Sequence, residues 1–416
     1  METHFSRRGL NGLNFFIAAA QAGFGPFVAV WLTQQGWSQT DVGLALSINS
    51  GAALLGQLPG GLLVDAVHHK RPVVTFALLA IATAALLLAF LPMRGPVWLA
   101  EALDALAACV ITPSIAAITL RLCGHAAYSQ RLGLNARFAS LGAASAAGLL
   151  GLCAWALSQR SVFIVTAAFV LPALVALYSI RADDEAEGET HCALLHPRER
   201  RQRAIRPLEI FREPALHTFA ICAVLFHLAN AAMLPLALNE LAKHTPSAGL
   251  VVPAAIIVPQ VIVATMSPWV GSKAQTLGRR PVLLAGFAAL PVRGVLFALL
   301  VWAGPAGLPL VAIQLLDGVS ATVFGLTLPL IAADVTQRTG NLNLAIGALG
   351  LATGLGATTS TTVAGVVTDA VGAPMAFIGL AAVGAVAWLT LLLAMPETRP
   401  VATGGAPTDG LVAVSG

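Results

Sequence analysis

Twelve long apolar runs are the feature that most limits how this chain can fold. Each run can cross the hydrocarbon core of a bilayer, which needs roughly 20 helical residues. With 57% hydrophobic and 10% charged residues, the chain has more apolar surface than one soluble core buries. The runs are too long for barrel strands, so we predict an all-α polytopic membrane protein with twelve transmembrane helices. They cover residues 10–33, 40–64, 73–92, 97–120, 132–157, 161–180, 215–241, 249–271, 282–303, 307–333, 343–368 and 374–395.

The lysine and arginine residues are distributed unevenly between the two sides of the membrane. With the N-terminus inside, the cytoplasmic segments hold 18 of them, whereas the outer loops hold only Arg94, Arg160 and Lys243. Short basic loops are retained in the cytoplasm during insertion. We therefore expect a multi-pass protein of the cell inner (cytoplasmic) membrane with both termini in the cytoplasm. The same asymmetry accounts for most of the net charge of +4, so we expect no nucleic-acid partner.

One long polar loop separates the spans into two groups of six. It contains the acidic stretch DDEAEGE (183–189) and the basic stretch RERRQRAIR (198–206), which are typical of a solvated linker near anionic lipid. The predicted domains are an N-terminal six-helix bundle at 1–181, a cytoplasmic linker at 182–213, a C-terminal six-helix bundle at 214–398 and a disordered cytoplasmic tail at 399–416.

The two groups of spans carry an internal repeat. PGGLLVDAVHHKRP (59–72) and PWVGSKAQTLGRRP (268–281) both run from proline to proline and end in two basic residues and a proline. PSIAAITLRLCG (113–124) and PLIAADVTQRTG (329–340) share five residues at matching positions. The two matches are separated by nearly the same length of chain. The repeat predicts two pseudo-symmetric six-helix bundles.

Twelve spans in two sixes, a long middle loop and a Gly-x-x-x-Asp…Lys-Arg loop after the second span resemble the major facilitator superfamily. In that family the loop reads roughly Gly-x-x-x-Asp-Arg-x-Gly-Arg-Lys. This chain has Ala66 and His68 in place of the arginine and the glycine, and its counterpart loop after the eighth span has Gln275 in the acidic place. The resemblance covers the whole chain and implies a secondary transporter that works by alternating access.

The resemblance also implies that these two loops act as conformational latches between the bundles. An aspartate at a helix end has no role in topology, which favours a latch role for that residue. The basic residues can equally serve only to set the topology. The latch candidates are Gly61, Asp65, Lys70, Arg71, Gly278, Arg279 and Arg280.

Carboxylates occur inside the predicted spans at matching places in the repeat. Glu101 lies twelve residues before Pro113, and Asp317 lies twelve before Pro329. A charge near the bilayer centre costs about 3 kcal/mol, so it should face a partner or a wet cavity. In the resembling family, substrate lies in a central cavity lined partly by helices four and ten. Because a poorly solvated carboxylate readily exchanges a proton, Glu101, Asp317 and Asp104, one turn from Glu101, are candidates for proton coupling.

Other polar residues inside the spans are weaker candidates. Arg293 lies at a depth from which it can reach Asp317, and a purely structural pair is as consistent with the sequence as substrate binding. His227 can carry a proton near neutral pH, and the helix can loosen in HLANAAMLP (227–235) before its proline. In membranes such groups often only bond neighbouring helices. The cavity candidates are Asn14, Gln21, Asn49, Asn230, Gln260 and Arg137.

The sequence departs from the family's drug and proton antiporters at two places. Their helix four carries Arg-x-x-x-Gly-x-Gly, where this chain has Glu101, Ala105 and Ala107. Their helix five carries a Gly-Pro pair, where this chain has Ala146 and Ala147. These departures weaken an assignment to drug efflux and remove the usual helix-four residue for proton coupling.

Enzyme signatures are missing from the sequence. The five cysteines are scattered without ligand spacing, and no glycine-rich phosphate loop is present. We expect a protein that is not an enzyme, without metal or cofactor, whose partners are a small-molecule substrate, protons and the lipid bilayer, and which is a monomer.

The predicted function is secondary active transport of a small solute, coupled to protons, with efflux favoured over uptake. One alternative is a proton-coupled uptake symporter for a small organic anion that meets Arg293 or Arg137. An alternative of another class is a sensor or scaffold that has the same fold and does not transport.

Overall fold

The structure, a computed structural model, describes residues 4–180, 212–244, 248–337 and 341–399. In these ranges the secondary structure is helical, without strands. All but the last two residues of the predicted linker, and all of the predicted tail except Arg399, lie outside the described residues.

The N-terminal half contains six helices within the range 4–180 that the structure describes. Ser38 caps the third, where its hydroxyl accepts a hydrogen bond from the amide of Asp41 at 3.1 Å, as is usual for serine at a helix start. The helices are α1 (His4–Gln21), α2 (Pro26–Gln34), α3 (Gln39–Ala66), α4 (Lys70–Phe90), α5 (Arg94–Ala156) and α6 (Gln159–Tyr178).

The C-terminal half contains eight helices within the described residues. They are α7 (Pro214–Asn230), α8 (Met233–His244), α9 (Ala248–Thr276), α10 (Arg279–Phe287), α11 (Ala289–Ala303), α12 (Gly307–Thr336), α13 (Leu342–Val371) and α14 (Ala373–Ala394). The pairs α7–α8 and α10–α11 each form one predicted span that is interrupted near its middle. The break between α7 and α8 lies before Pro235, where the sequence predicted that the helix would loosen.

The described helices amount to the twelve predicted spans. Ten segments are long and apolar enough to cross a membrane. One of them, α5, contains two spans, because Gly124 adopts φ 66° and ψ 172° and turns the chain in the middle of the helix. The first span is the α1–α2 pair, which breaks at Gly25 with φ 69° and is therefore not among the ten. The all-α, twelve-span prediction is confirmed.

Two boundaries differ from the prediction. The connection expected between residues 120 and 132 is helical on both sides of Gly124. The chain turns at Gly124, and we call this turn the corner. Hydrophobicity alone does not locate the corner, because the chain stays helical after the apolar run has ended. Arg137, expected about four residues inside helix five, consequently lies well beyond the corner and is exposed.

The two halves meet at one face of the membrane. We call this the terminal face; it carries the loops at 67–69 and 277–278 and the last described residues, 395–399. There α3 packs so closely on α13 that a Cβ on Gly61 would overlap the backbone of Asn343, and a Cβ on Gly133 of α5 would lie 2.5 Å from the carbonyl oxygen of Ser267 in α9.

The opposite face, which we call the far face, is more open. A Cβ added to Gly51 of α3, Gly148 of α5 or Gly365 of α13 would meet no atom within 4 Å. The same helices that are tightly packed near the terminal face therefore have free space toward the far face. The described close contacts between the halves therefore lie toward the terminal face, and these three positions toward the far face have free space.

Candidate functional site

A cluster of polar side chains surrounds Arg293 in the C-terminal half. Arg293 is 1% exposed, and its Nη1 donates to Asp317 Oδ1 at 2.6 Å and to the side-chain oxygen of Asn230. Its Nη2 donates to Gln314 Oε1 at 2.7 Å, and its guanidinium carbon lies 5.5 Å from the centre of the Phe297 ring. The expected contact between Arg293 and Asp317 is therefore present.

This cluster compensates a charge in the middle of the membrane. Arg293 lies about 16 Å along the helix axis from the end of α11 at Gly304. A buried guanidinium is tolerated at that depth only if a carboxylate and polar acceptors surround it. The side chain of Asp317 is 19% exposed, so it lies at the edge of the cluster while Arg293 is enclosed.

The carboxylates of the N-terminal half have different partners. Glu101 is 1% exposed and its Oε1 has no hydrogen-bond partner among the described residues. Asn49 Nδ2 donates to the backbone oxygen of Glu101 at 3.1 Å and to Asp104 Oδ2 at 3.3 Å. In the part of the chain that the structure describes, neither acid forms a salt bridge. The N-terminal half thus holds two carboxylates near one amide, without the cation that the C-terminal half supplies.

The remaining candidates form no hydrogen bond or salt bridge with these two clusters among the described residues. His227 packs edge-on against Phe324 at 4.9 Å between ring centres, and its Nε2 is buried without a described partner. Asn14 bonds the carbonyl oxygen of Leu10 in its own helix at 2.8 Å. Gln21 and Gln260 are half-buried. For these two and for exposed Arg137 the structure gives no side-chain hydrogen bond or ion pair within its described part.

Asp65 links the two halves at the terminal face. Its Oδ1 accepts from the side-chain amide of Asn343 at 2.6 Å and from the backbone amide of the same residue at 3.2 Å. Its Oδ2 accepts from the amide of Leu344 at 2.8 Å. A carboxylate of one half therefore caps the N-terminus of α13 in the other half, where the helix dipole favours negative charge.

Lys70 and Arg71 contact their own half. Lys70 is 4% exposed and donates to the carbonyl oxygens of Val64 and Val67 at the end of α3. Arg71 donates to the carbonyl oxygen of Ile180. The contacts of these two residues that the structure describes cap helix ends, and a latch role for them stays a prediction.

Arg279 and Arg280, in the counterpart loop, also bind within the C-terminal half. Arg279 forms a two-pronged salt bridge with Asp334 at 2.8 and 3.2 Å, with the two side chains 3% and 4% exposed. Arg280 donates to the carbonyl oxygen of Leu392 at 2.6 Å. Among the described residues, the expected pairing of this loop with the neighbouring bundle is not seen for either arginine.

The segment after the last helix packs against the loop at 277–278 and the start of α10. Glu397 accepts hydrogen bonds from the amides of Arg279, Arg280 and Arg399 at 2.8, 3.1 and 2.9 Å. Burial alone would raise the pKa of Glu397, but these amide donors outweigh it and hold the pKa below its ordinary value. Arg399 in turn donates to the carbonyl oxygen of Thr276 at 2.6 Å, at the end of α9.

Some residues of these clusters were missed in the sequence. Gln314, Asp334 and Glu397 were not singled out, because single polar residues near helix ends or on a buried face give no periodic signal. Gln314 lies one turn before Asp317, and that spacing was the available clue. Arg131 was expected in a cytoplasmic loop, but it is 5% exposed and donates to Asn11 at 2.7 Å.

Two halves of six spans each, joined at one face and carrying charged clusters inside apolar helices, form the architecture of a polytopic membrane protein. The sequence profile described as Major Facilitator Superfamily matches residues 10–264. An uncharacterized MFS-type transporter of Mycobacterium tuberculosis, found in two strains, is 35% identical over 397 residues, covering 94% of this chain and 93% of the relative. The chain belongs to the Major Facilitator Superfamily.

Solved structures of the superfamily share this fold. The proton:xylose symporter XylE, bound to 6-bromo-6-deoxy-D-glucose, has a TM-score of 0.73 at 14% identity, covering 95% of this chain and 96% of its own. The human organic anion transporter MFSD10 has 0.70 at 13% identity, covering 94% and 100%. The transporter FucP in the outward conformation has 0.67 at 16% identity, covering 92% and 97%. At these identities the likeness establishes the fold alone.

Proposed function

We propose that this protein is a proton-coupled secondary transporter that exports a small solute by alternating access, with Glu101 and Asp104 carrying the proton. The observation that supports it most directly is that the carboxylates inside the membrane have different partners. Asp317 is paired with a guanidinium, whereas the Asp104 carboxylate accepts from the amide of Asn49 and Glu101 Oε1 has no partner among the described residues. A carboxylate without a counter-ion in a poorly solvated place is neutralised most readily by a proton.

Closure at one face supports the alternating-access part of the proposal. Asp65 and the tight glycine contacts hold the terminal face shut while the far face is open. We take the terminal face to be cytoplasmic, because the predicted excess of basic residues lies there. The structure then corresponds to an outward-open state, in which protons enter the exporter from outside.

Uptake of an organic anion receives less support from the contacts. Arg293, the cation that would meet the anion, is enclosed and already bonded to Asp317, Asn230 and Gln314. An anionic substrate would have to displace a carboxylate that lies at 2.6 Å from the guanidinium.

Growth of a host that overproduces the protein tests the proposal. The strain is exposed to a broad panel of toxic compounds and metabolite analogues, beside strains that produce Glu101→Gln or Asp369→Asn. Asp369 is exposed, so its variant makes the same chemical change outside the cluster. Resistance that is lost in Glu101→Gln and kept in Asp369→Asn supports proton-coupled export.

Two results would contradict it. Hypersensitivity that depends on Glu101 would indicate uptake. Equal growth of the wild type and Glu101→Gln on every compound, at equal membrane levels, would remove the coupling role of Glu101 and favour a sensor or scaffold.

A further inference from the structure

The Arg293 cluster of the C-terminal half can be compared with the matching positions of the repeat in the N-terminal half. When the repeat is aligned so that Pro329 matches Pro113, Asp317 falls opposite Glu101 and Gln314 falls opposite Trp98. The same alignment places Asn230 opposite Asn14. The N-terminal half therefore repeats the carboxylate and an amide of the cluster, with an indole in place of Gln314.

The cation itself is not repeated. The other match of the repeat, which aligns Lys70–Pro72 with Arg279–Pro281, places Ala84 opposite Arg293. Ala84 is fully buried in the core of its half. Among the described contacts, Asn49 of α3 supplies an amide to this part of α5, and neither Glu101 nor Asp104 forms a salt bridge with a cation. Three of the neighbouring helices contain long stretches without a charged residue, so they offer no cation there. These stretches are Pro72–Phe90 of α4, Val42–Val64 of α3 and Gly9–Gln21 of α1.

The side chains around this position have unused hydrogen-bonding atoms. Glu101 Oε1, Asp104 Oδ1 and Trp98 Nε1 are all buried without a hydrogen-bond partner among the described residues. Buried polar atoms in native proteins are nearly always paired. Glu101, at 1% exposure, is the most enclosed of the three, while Asp104 and Trp98 are half-buried and are the first that a solute would meet.

We infer that this cluster, Trp98, Glu101, Asp104 and Asn49, binds the positively charged group of a monovalent organic cation, the substrate, in the way the C-terminal half binds its own Arg293. The two halves then offer the same chemistry: carboxylate and amide acceptors beside an aromatic ring, which is Phe297 in one half and Trp98 in the other. Tryptophan has the strongest attraction for a cation over its ring face, and charge-assisted hydrogen bonds to carboxylates provide direction.

This inference rests on the proposed function and names its substrate class. A proton on the carboxylate pair and a bound organic cation carry the same charge, so one replaces the other without leaving extra charge in the membrane. When the cation binds from the cytoplasmic side, the carboxyl O–H bond breaks, the proton passes to water at that face, and the carboxylate accepts hydrogen bonds from the cation. The reverse exchange at the other face completes the cycle.

Binding of a matched probe pair tests the inference. The purified protein in nanodiscs is titrated with benzylguanidinium and with neutral benzylurea, which have nearly the same shape, by calorimetry and with a pH-indicator dye. We expect saturable binding of benzylguanidinium, release of up to one proton per protein, and no saturable binding of benzylurea. Glu101→Gln should weaken benzylguanidinium binding by about tenfold or more, because a charge-assisted hydrogen bond is lost.

Three further variants guard against misfolding as an explanation. Trp98→Phe keeps a ring and should weaken binding less than Trp98→Leu, while Asp369→Asn should leave it unchanged. Absence of saturable benzylguanidinium binding, equal binding of benzylurea, or unchanged binding in Glu101→Gln would each overturn the inference.

The two proposals fail in distinguishable ways. Export of neutral compounds only, still dependent on Glu101, would leave transport standing and overturn the substrate class. Glu101-dependent binding of benzylguanidinium, without proton-driven movement of it in proteoliposomes, would keep the binding site and overturn the proposed function.

Discussion

At the scale of single residues, burial decides how much a charge pair matters. Arg279 and Asp334 are 3% and 4% exposed, whereas Arg94 and Asp41, at 3.0 Å, are 67% and 26% exposed. Removing one partner of a buried pair leaves a charge that neither water nor protein compensates. An exposed pair leaves its remaining charge in water.

Arg279→Ala is therefore expected to lower the stability of the protein by about 3–5 kcal/mol. Arg94→Ala, the matched control, should cost at most about 1 kcal/mol. Thermal unfolding in detergent, followed by fluorescence size-exclusion chromatography, measures both. The double variant Arg279→Met with Asp334→Leu should recover much of the loss. Equal losses in the two single variants would show that burial of the first pair has no energetic effect.

Glu397 gives stability a pH dependence. Its pKa lies below the ordinary glutamate value of 4.5 in the folded protein, so the folded state favours the ionised form. Its contribution is fully present above pH 4.5 and is lost as the pH falls through the lower folded pKa. The difference in melting temperature between the wild type and Glu397→Gln should accordingly shrink as the pH falls below 4.5. A difference that stays constant in strong acid would contradict this.

At the scale of helices, two glycines of α5 have opposite packing environments. A Cβ on Gly133 would lie 2.5 Å from the carbonyl oxygen of Ser267 and 3.0 Å from the Cα of Pro268, whereas a Cβ on Gly148 would meet no atom within 4 Å. The first glycine permits the close crossing of α5 and α9 at the terminal face. The second lies where the same helix has free space.

Substitution by alanine should separate the two positions. Gly133→Ala should destabilise the closed terminal face, because the backbones of α5 and α9 must move apart. Gly148→Ala should raise stability by up to about 1 kcal/mol, because alanine is the better helix former. Thermal unfolding of both variants gives the signs, and a melting temperature that rises in both would exclude a packing role for Gly133.

At the scale of the whole molecule, closure of one face and opening of the other form one equilibrium. Asp65 acts on that equilibrium because its acceptors belong to one half and the donors, Asn343 and Leu344, to the other. A ligand or variant shifts such an equilibrium only by its different interaction with the two states.

Asp65→Asn should lower the ratio of terminal-face-closed to terminal-face-open molecules by about tenfold, the loss of a charged helix cap. Spin labels at exposed His68 and Leu277 report the terminal face, and labels at Arg94 and Lys243 report the far face. In a background without native cysteines, the first distance should lengthen while the second shortens. Asp369→Asn should change neither. Lengthening of one distance without shortening of the other would contradict a rigid rocking of the two halves.

The sequence predicted the spans better than the contacts. Apolar runs identified the twelve spans, because hydrophobic length follows from local composition. The correspondence of Glu101 with Asp317 stays a prediction from the repeat. The corner at Gly124 and the buried position of Arg131 were not predicted, since a polar residue near a helix end has the same sequence signal in a loop and in an interface.

The sequence by itself determined that this chain crosses a membrane with helices, that its halves repeat, and that acidic residues lie within the spans. These features can be read from the sequence because hydrophobic length and residue spacing are local properties. The pairing of Arg293 with Asp317 was expected from the sequence, and only the tertiary structure decided which other residues surround the pair. Arg293 reaches Asp317, Asn230 and Gln314 on two neighbouring helices, and Asp65 caps α13, a helix of the opposite half. Such contacts depend on which helix faces pack together, and that is set by the interior packing of the whole molecule.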